Sequence, residues 1–548
     1  MRTTARISEP GTRGLTRRAA LAAGVAALAG PPASARGETR AAVTVRDDRA
    51  GRPISPLVFG SNEIGAMDGG PLSAELDARA GVTARRLGGN LMTTYDWATN
   101  LSNAGKDWNY ANAYLLPDAM RLSDEERGRP HAVIDAMLAA SRPMDAKSLV
   151  TLPLAGFVAA DADGPVPPAE AAPSRRFKPV RWDGRTPGDA PIDPSVCDIP
   201  QLLARLVERH GTAAEGGIWA YALDNEPGLW SETHPRVARE KPTVASLIER
   251  SVKAATVVKA IDPGALVFGP ASWGASEFAT FQDAPDWPDY VRFDSFLGAY
   301  LDAFAKASER AGTRLLDALD VHWYPYSRRG DLFRTEDPRL ASALLDAPRS
   351  LDEPGFVEDS WVPQVLRPGA EEGIGLPLLP SLRRTVERFF PGVGIAVTEF
   401  NYGGAGQVAS GLALADALGR FCAGGVMFAS HWGSLAGFLG EAYRLYRAEG
   451  GFGGEAFGVE GGDGRLSVFA ARTAPGGRVD VVVLNKAEAP VVVDLRFAGA
   501  PRGGVPGSAQ GFDAARPETG PVDAAAEAVE GGVRLALPPR AARRYLFG

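Results

Sequence analysis

Eight apolar runs punctuate residues 56–433, each closed by turn-forming or polar residues. They are Pro56–Asn62, Val82–Asn90, Ser148–Gly156, Ile218–Pro227, Ala265–Gly274, Ala318–Pro325, Gly394–Gly403 and Gly424–Gly433. Short apolar runs bounded by turn signals read as buried strands. The segments between them, such as Pro200–Arg209 and Thr243–Ile261, carry the spacing of amphipathic helices. Strands alternating with helices imply a parallel sheet, and eight repeats predict an α/β fold closed as a (β/α)8 TIM barrel. Two connections are long, Val158–Asp193 after the third run and Tyr326–Pro391 after the sixth. Both leave from the end of a strand and are expected to wall a cleft.

From about Phe452 the pattern changes to alternating or Val-rich runs: Arg465–Ala471, Arg478–Asn485, Val491–Phe497 and Val533–Leu537. With Gly and Pro turns between them, they predict antiparallel strands of a small accessory β-sandwich. Ala509–Glu530 is polar and without pattern. Near the other end, Ala41–Val45 alternates like a short strand and is expected to pair with the distant C-terminal region. Residues 1–35 have Arg17 and Arg18 before an Ala-rich run, then Ala33-Ser34-Ala35, the layout of a twin-arginine-type signal peptide. The expected division is therefore leader 1–35, joining strand 36–54, barrel 55–452 and sandwich 453–548. Export to the periplasm or beyond is the expected destination.

The 548 residues are 45% hydrophobic, enough for a large core and a smaller second one. A net charge of −7, spread along the chain, argues against a nucleic-acid partner. No run after the leader is long and apolar enough to span a membrane. The two cysteines, Cys197 and Cys422, cannot form a disulfide framework and read as buried thiols. The five histidines are dispersed without ligand spacing, so no metal site and no cofactor are predicted; a structural calcium on loop carboxylates stays open, without being predicted. No phosphate-cradling glycine loop precedes a helix. A monomer is expected.

The candidate chemistry lies at two strand ends. Trp219 through Leu223 is apolar and stops on Asp224-Asn225-Glu226-Pro227, where proline forbids a further central-strand residue. Gly394 through Thr398 likewise ends in Glu399-Phe400-Asn401-Tyr402. In a barrel these are the C-terminal ends of strands four and seven, on the face where barrel enzymes place their chemistry. A pair of carboxylates facing each other among aromatics is what glycosidic bond cleavage needs. Other strand ends point to the same rim: Asn90, Trp273, His322-Trp323-Tyr324 and Trp432. Aromatic rings there stack on sugar faces, while His and Asn hydrogen-bond hydroxyls. Asn225 is placed to hydrogen-bond a sugar 2-hydroxyl. His322 or Tyr402 is a candidate to orient Glu399, and spacing does not choose between them. The expected partner is a polysaccharide.

These residues resemble glycoside hydrolase family 44, a family of endo-acting β-glucanases and xyloglucanases. The likeness covers roughly residues 45–470. It rests on Arg86-Leu87-Gly88-Gly89-Asn90, on Trp97 through Asn103-Ala104-Gly105-Lys106-Asp107-Trp108, and on Asp224-Asn225-Glu226-Pro227 continuing to Trp230 and Thr233-His234. Pro348-Arg349-Ser350-Leu351, Thr398-Glu399-Phe400-Asn401, Ala415-Asp416 and Leu418-Gly419 complete the set. The resemblance implies a barrel with a β-sandwich, retention of anomeric configuration, Glu226 as acid/base and Glu399 as nucleophile. Trp97 and Trp230 join the expected substrate-binding residues. Leu91, Asp96, Asp352 and Tyr446–Gly450 depart from the family pattern, and these departures are expected to alter the sugar subsites. Alternatives are a retaining barrel glycosidase on xylan, mannan or a glucuronic-acid polymer, or a glycan-binding protein without activity.

Overall fold

The computed structural model describes residues 39–66, 70–473, 477–499 and 504–548. The expected leader lies outside the described residues.

Eight parallel strands close into a barrel. In chain order they are β1 (Gly60–Asn62), β2 (Ala84–Leu87), β3 (Lys147–Leu152), β4 (Ala220–Leu223), β5 (Leu266–Ser272), β6 (Ala318–Trp323), β7 (Gly394–Phe400) and β8 (Phe428–His431). Seven fall within the predicted runs, and β3 begins at Lys147, one residue before its run Ser148–Gly156. In the first run, Pro56–Val58 forms a 3-10 turn, because Pro56 fixes the helical dihedral and Ser55 caps the Leu57 N–H. The helices that follow the strands are α1 (Ser73–Ala80), α2 (Ala132–Ser141), α3 (Ile199–His210), α4 (Val244–Ile261), α5 (Phe296–Ala311), α6 (Leu378–Phe389), α7 (Val408–Gly424) and α8 (Gly437–Arg447). No helix among the described residues is long and apolar enough to cross a membrane.

The barrel interior is layered. At the bottom, small residues (Ala84, Ala220, Ala222, Ala318, Ala396) leave room for Phe268 and Phe428, and Trp219 packs against this layer. The rings of Trp219 and Phe428 stack with centroids 5.8 Å apart, and Phe268 meets Phe428 edge-on at 5.5 Å. This apolar floor shuts one end. One step up each strand on the same face come Arg86, Asp320 and Thr398, all buried. Polar groups thus collect toward the C-terminal ends, where the site is built.

Both long connections carry structure. Phe157–Ala159, Phe177–Arg181 and Cys197–Asp198 form a three-stranded sheet, and α6 lies inside the second. Both cysteines are free and buried.

A second three-stranded sheet joins Ser102–Asn103, Ala111–Ala113 and Gly164–Pro165, and two further sheets of five and seven strands enclose a second core around Val43, Val481, Val493, Leu495 and Leu535. Thr39–Val45 pairs in parallel with Val491–Phe497, with Val43 opposite Leu495. The region read as patternless contains strands Ser508–Asp513, Gly520–Pro521 and Ala526–Val529. Apart from Phe512 and Val529 their side chains are mostly small or polar, so they carry little hydrophobic alternation, and ladder pairing to neighbours supplies the order instead.

Candidate active site

The loop after β4 bends sharply. Asp224 and Glu226 both hold left-handed backbone, with φ of 65° and 44°. Asp224 is buried and accepts hydrogen bonds from Thr93 Oγ1 at 2.7 Å, the Asn225 N–H at 2.7 Å and the Ala155 N–H at 3.1 Å. Those donors hold the turn, and burial still pushes the carboxyl up to about 6. The Glu226 N–H donates to the Ala271 carbonyl at 2.9 Å, fixing the residue against the end of β5.

Across the barrel, register shifts on both sides of β7 place Glu399 opposite His322. One oxygen each of Glu226 and Glu399 and the Nδ1 of His322 lie within 4.8 Å of one another. His322 Nδ1 is 2.9 Å from Glu226 Oε1 and 3.5 Å from Glu399 Oε2. Arg86 reaches up from β2 and donates to Glu399 Oε1 at 2.7 Å, to Asn62 Oδ1 at 2.9 Å and to Asn225 Oδ1 at 2.8 Å. The Tyr324 hydroxyl donates to Glu399 Oε2 at 2.7 Å. Among the described residues, this trio alone is compact enough to hold a cation. Its oxygens are already engaged by a guanidinium, a phenol and an imidazole, an arrangement able to hold and pass a proton.

The environments of the two glutamates push their acidities apart. Burial raises Glu226, against a hydrogen bond and the charge of His322. Burial would raise Glu399 too, but the His322 charge, the Arg86 charge and hydrogen bonds from Tyr324 and Arg86 hold it below its ordinary value. Burial pulls His322 down, and the two carboxylates more than offset it, so the ring is raised. One carboxyl tends to stay protonated and its neighbour ionised.

Both glutamates open on a cavity of about 350 Å³. Asn90, Asn225, Tyr324 and Trp432 line it, as do Asp107, Tyr326, Asp331 and Phe333. Asn90 donates to Asp107 Oδ2 at 2.8 Å, and Phe333 meets Tyr324 edge-on with centroids 5.6 Å apart. Gly89 is needed here: φ is +78°, and a Cβ would strike the Trp432 ring at 2.5 Å.

Several expected contacts lie elsewhere. Trp97, Trp230, Trp323 and Tyr402 are at most 2% exposed and belong to the core. Trp97 donates its indole N–H to the Asp198 carbonyl, and Trp230 donates to that of Asn225 and so braces the site from behind. Trp323 follows inward-facing His322 on the strand and so turns outward, where it stacks on Phe278, and Tyr402 packs near Phe400. The side chain that joins His322 at Glu399 is Tyr324, not Tyr402. Trp273 is half-buried beside Trp361, which in turn meets Tyr326 of the cavity wall. The departures from the family pattern also fall outside the cavity. Leu91 packs on the barrel core, Asp96 pairs with Lys178, Asp352 with Arg420, and the Tyr446 hydroxyl caps the Ala415 carbonyl.

The signal for Arg86 was present in the alternation of β2, since Ala84 and Arg86 share the inward face. Asp107 sits in the single 3-10 turn Gly105–Trp108 and Asp331 and Phe333 on an irregular loop, where no period announces a direction.

The model of glycoside hydrolase family 44 matches residues 101–327. The solved structure of a Paenibacillus polymyxa xyloglucanase of that family superposes with a TM-score of 0.86 at 33% identity, covering 93% of this chain and 99% of that one. The chain belongs to glycoside hydrolase family 44. Endoglucanase A of Paenibacillus lautus is 36% identical over 445 residues, 78% of this chain and 60% of its own length. Beta-mannanase/endoglucanase A of Caldicellulosiruptor saccharolyticus is 37% identical over 430 residues, 74% of this chain and 30% of its own. The chain therefore spans less than two thirds of either of these longer proteins.

Proposed function

We propose that this family 44 chain is an exported, retaining glycoside hydrolase acting on β-1,4-glucan-type polysaccharides such as cellulose derivatives or xyloglucan. The observation that carries the reading is the approach of the Glu226 and Glu399 oxygens to within 4.8 Å. Retaining pairs stand about 5–5.5 Å apart, whereas inverting pairs need roughly 6.5–9.5 Å to admit a water. Glu226, raised by burial, gives its proton to the leaving oxygen as the C1–O bond breaks, and Glu399 forms an ester bond to C1. Glu226, now a carboxylate, takes a proton from water; the hydroxide attacks C1 and frees Glu399. Arg86 and Tyr324 keep Glu399 ionised and aimed. Asn225, held by Arg86, faces the cavity as a partner for the sugar 2-hydroxyl.

The substrate class is supported by the names of the family 44 relatives and by the lining. Asp107 and Asp331 add negative charge to the walls, and among the described residues no Lys or Arg lines the cavity. That field disfavours a glucuronic-acid polymer and suits a neutral chain. Reducing-sugar release from xyloglucan, soluble cellulose derivatives, xylan and mannan tests the reading, with the product anomer followed by NMR. Release from a glucan with the β-anomer formed first supports it. Cleavage confined to xylan or mannan, initial α-anomer, or binding without release each overturns it.

A further inference from the structure

One buried carboxyl beside the Glu226 loop takes no part in this displacement. Glu277 lies in the first turn of the short helix Ala275–Thr280, directly after β5, and is 0% exposed. Its side chain folds back over the strand end. Ser272 Oγ donates to Oε1 at 3.0 Å and the Trp273 N–H donates to Oε2 at 3.1 Å. The Gly228 N–H is a third donor. A Cβ on Gly228 would lie 2.9 Å from Glu277 Cδ and Oε2, so the two residues touch.

Gly228 stands two residues beyond Glu226. Pro227 between them has no N–H, and the Glu226 N–H is tied to Ala271. Every backbone donor from Glu226 to Gly228 is thus anchored to the end of β5 or to the side chain just beyond it. The anchoring matters because Glu226, at φ 44° and ψ 54°, holds a left-handed conformation. A non-glycine residue stays there only where its surroundings over-determine it.

We propose that Glu277 is a positioning residue for the acid/base group: through Gly228 it fixes the left-handed turn that aims Glu226 at His322 and Glu399. This rests on the reading of Glu226 as acid/base. Burial pushes Glu277 up to about 8 against its three donors, with the Glu226 charge adding to the rise. At neutral pH it therefore anchors the loop without placing a second full negative charge beside Glu226.

The test is kcat/KM on phenyl and 2,4-dinitrophenyl β-cellotriosides, since the phenyl leaving group needs the acid's proton and dinitrophenyl does not. Glu277→Ala removes both acceptor oxygens and with them the anchor for the Gly228 N–H. Gly228→Ala, whose Cβ would press on the Glu277 carboxyl at 2.9 Å, disturbs the same contact from the other side and decides the matter if Glu277→Ala fails to fold. Once folded, each variant should lose about tenfold on the phenyl glycoside and keep the dinitrophenyl rate. Glu226→Ala should show the same selectivity more strongly. If Glu226→Ala loses both rates equally, the acid/base reading fails. If it is selective but the folded variants slow both glycosides alike, or neither, Glu277 is packing only and the inference is overturned.

Discussion

Lys178 Nζ lies 2.7 Å from Asp96 Oδ2, and the two side chains are 7% and 0% exposed. The family resemblance leads one to expect an amide at position 96. A carboxylate is tolerated here because a lysine from the strand Phe177–Arg181 meets it, with Thr99 donating from both its N–H and its hydroxyl. Breaking a buried pair by removing one partner typically costs about 3–5 kcal/mol, whereas removing both charges together costs far less. Lys178→Met should therefore lower the thermal midpoint sharply, and Asp96→Asn with Lys178→Met should recover most of the loss. A double-mutant cycle by thermal unfolding measures this; additive effects would show that the pair is not coupled.

Arg86 serves Glu399, Asn62 and Asn225 at once through a planar fork, which a lysine cannot reproduce. Arg86→Lys should lower kcat by about a hundredfold or more, in line with losing an aligned donor at a charged centre. Glu399 must be ionised to attack, and the variant lets its pKa rise. The acid limb of the kcat/KM profile should move to higher pH, and an unmoved limb would deny Arg86 this role.

His322 bears on both carboxyls in the same direction. Its charge is the largest influence holding Glu399 down, and its hydrogen bond is the largest influence opposing the burial of Glu226. His322→Asn should raise both groups. Activity is lost on the acid side as Glu399 protonates and on the alkaline side as Glu226 ionises, so the whole bell should shift to higher pH. A shift of one limb alone, or a shift downward, would contradict this coupling.

The barrel was legible because parallel strands covered on both faces read as continuous apolar runs. The two glutamates were legible because each interrupts such a run at its end. What remained hidden was which neighbours face the cavity. An indole looks the same in sequence whether it stacks on a sugar or, like Trp230, donates its N–H to the chain behind the site. The C-terminal strand Ala541–Phe547 is not among the predicted runs for the opposite reason: Arg543 and Arg544 interrupt its apolar pattern, yet both are buried against Asp513 and Asp480. Charges cancelled by distant partners leave no local trace.

Buried carboxyls also set how stability responds to pH. Burial raises Asp224 and Asp320 to about 6 and Glu277 to about 8. Unfolded, these groups titrate near 4, so between pH 4 and 8 the native state binds more protons than the unfolded chain. Stability then falls as pH rises, because its slope follows protons bound unfolded minus protons bound folded. Asp135 works the other way: hydrogen bonds from His131 and His210 hold it below its usual value against burial. Its contribution is complete above about pH 4 and is lost only on further acidification. The thermal midpoint should therefore decline from about pH 5 to about pH 8 and level off beyond. Glu277→Gln, which cannot ionise, should flatten the part of that decline above pH 6. Unfolding scans across the range decide it, and a variant whose slope matches the parent's would show that Glu277 is already charged in the native state at lower pH.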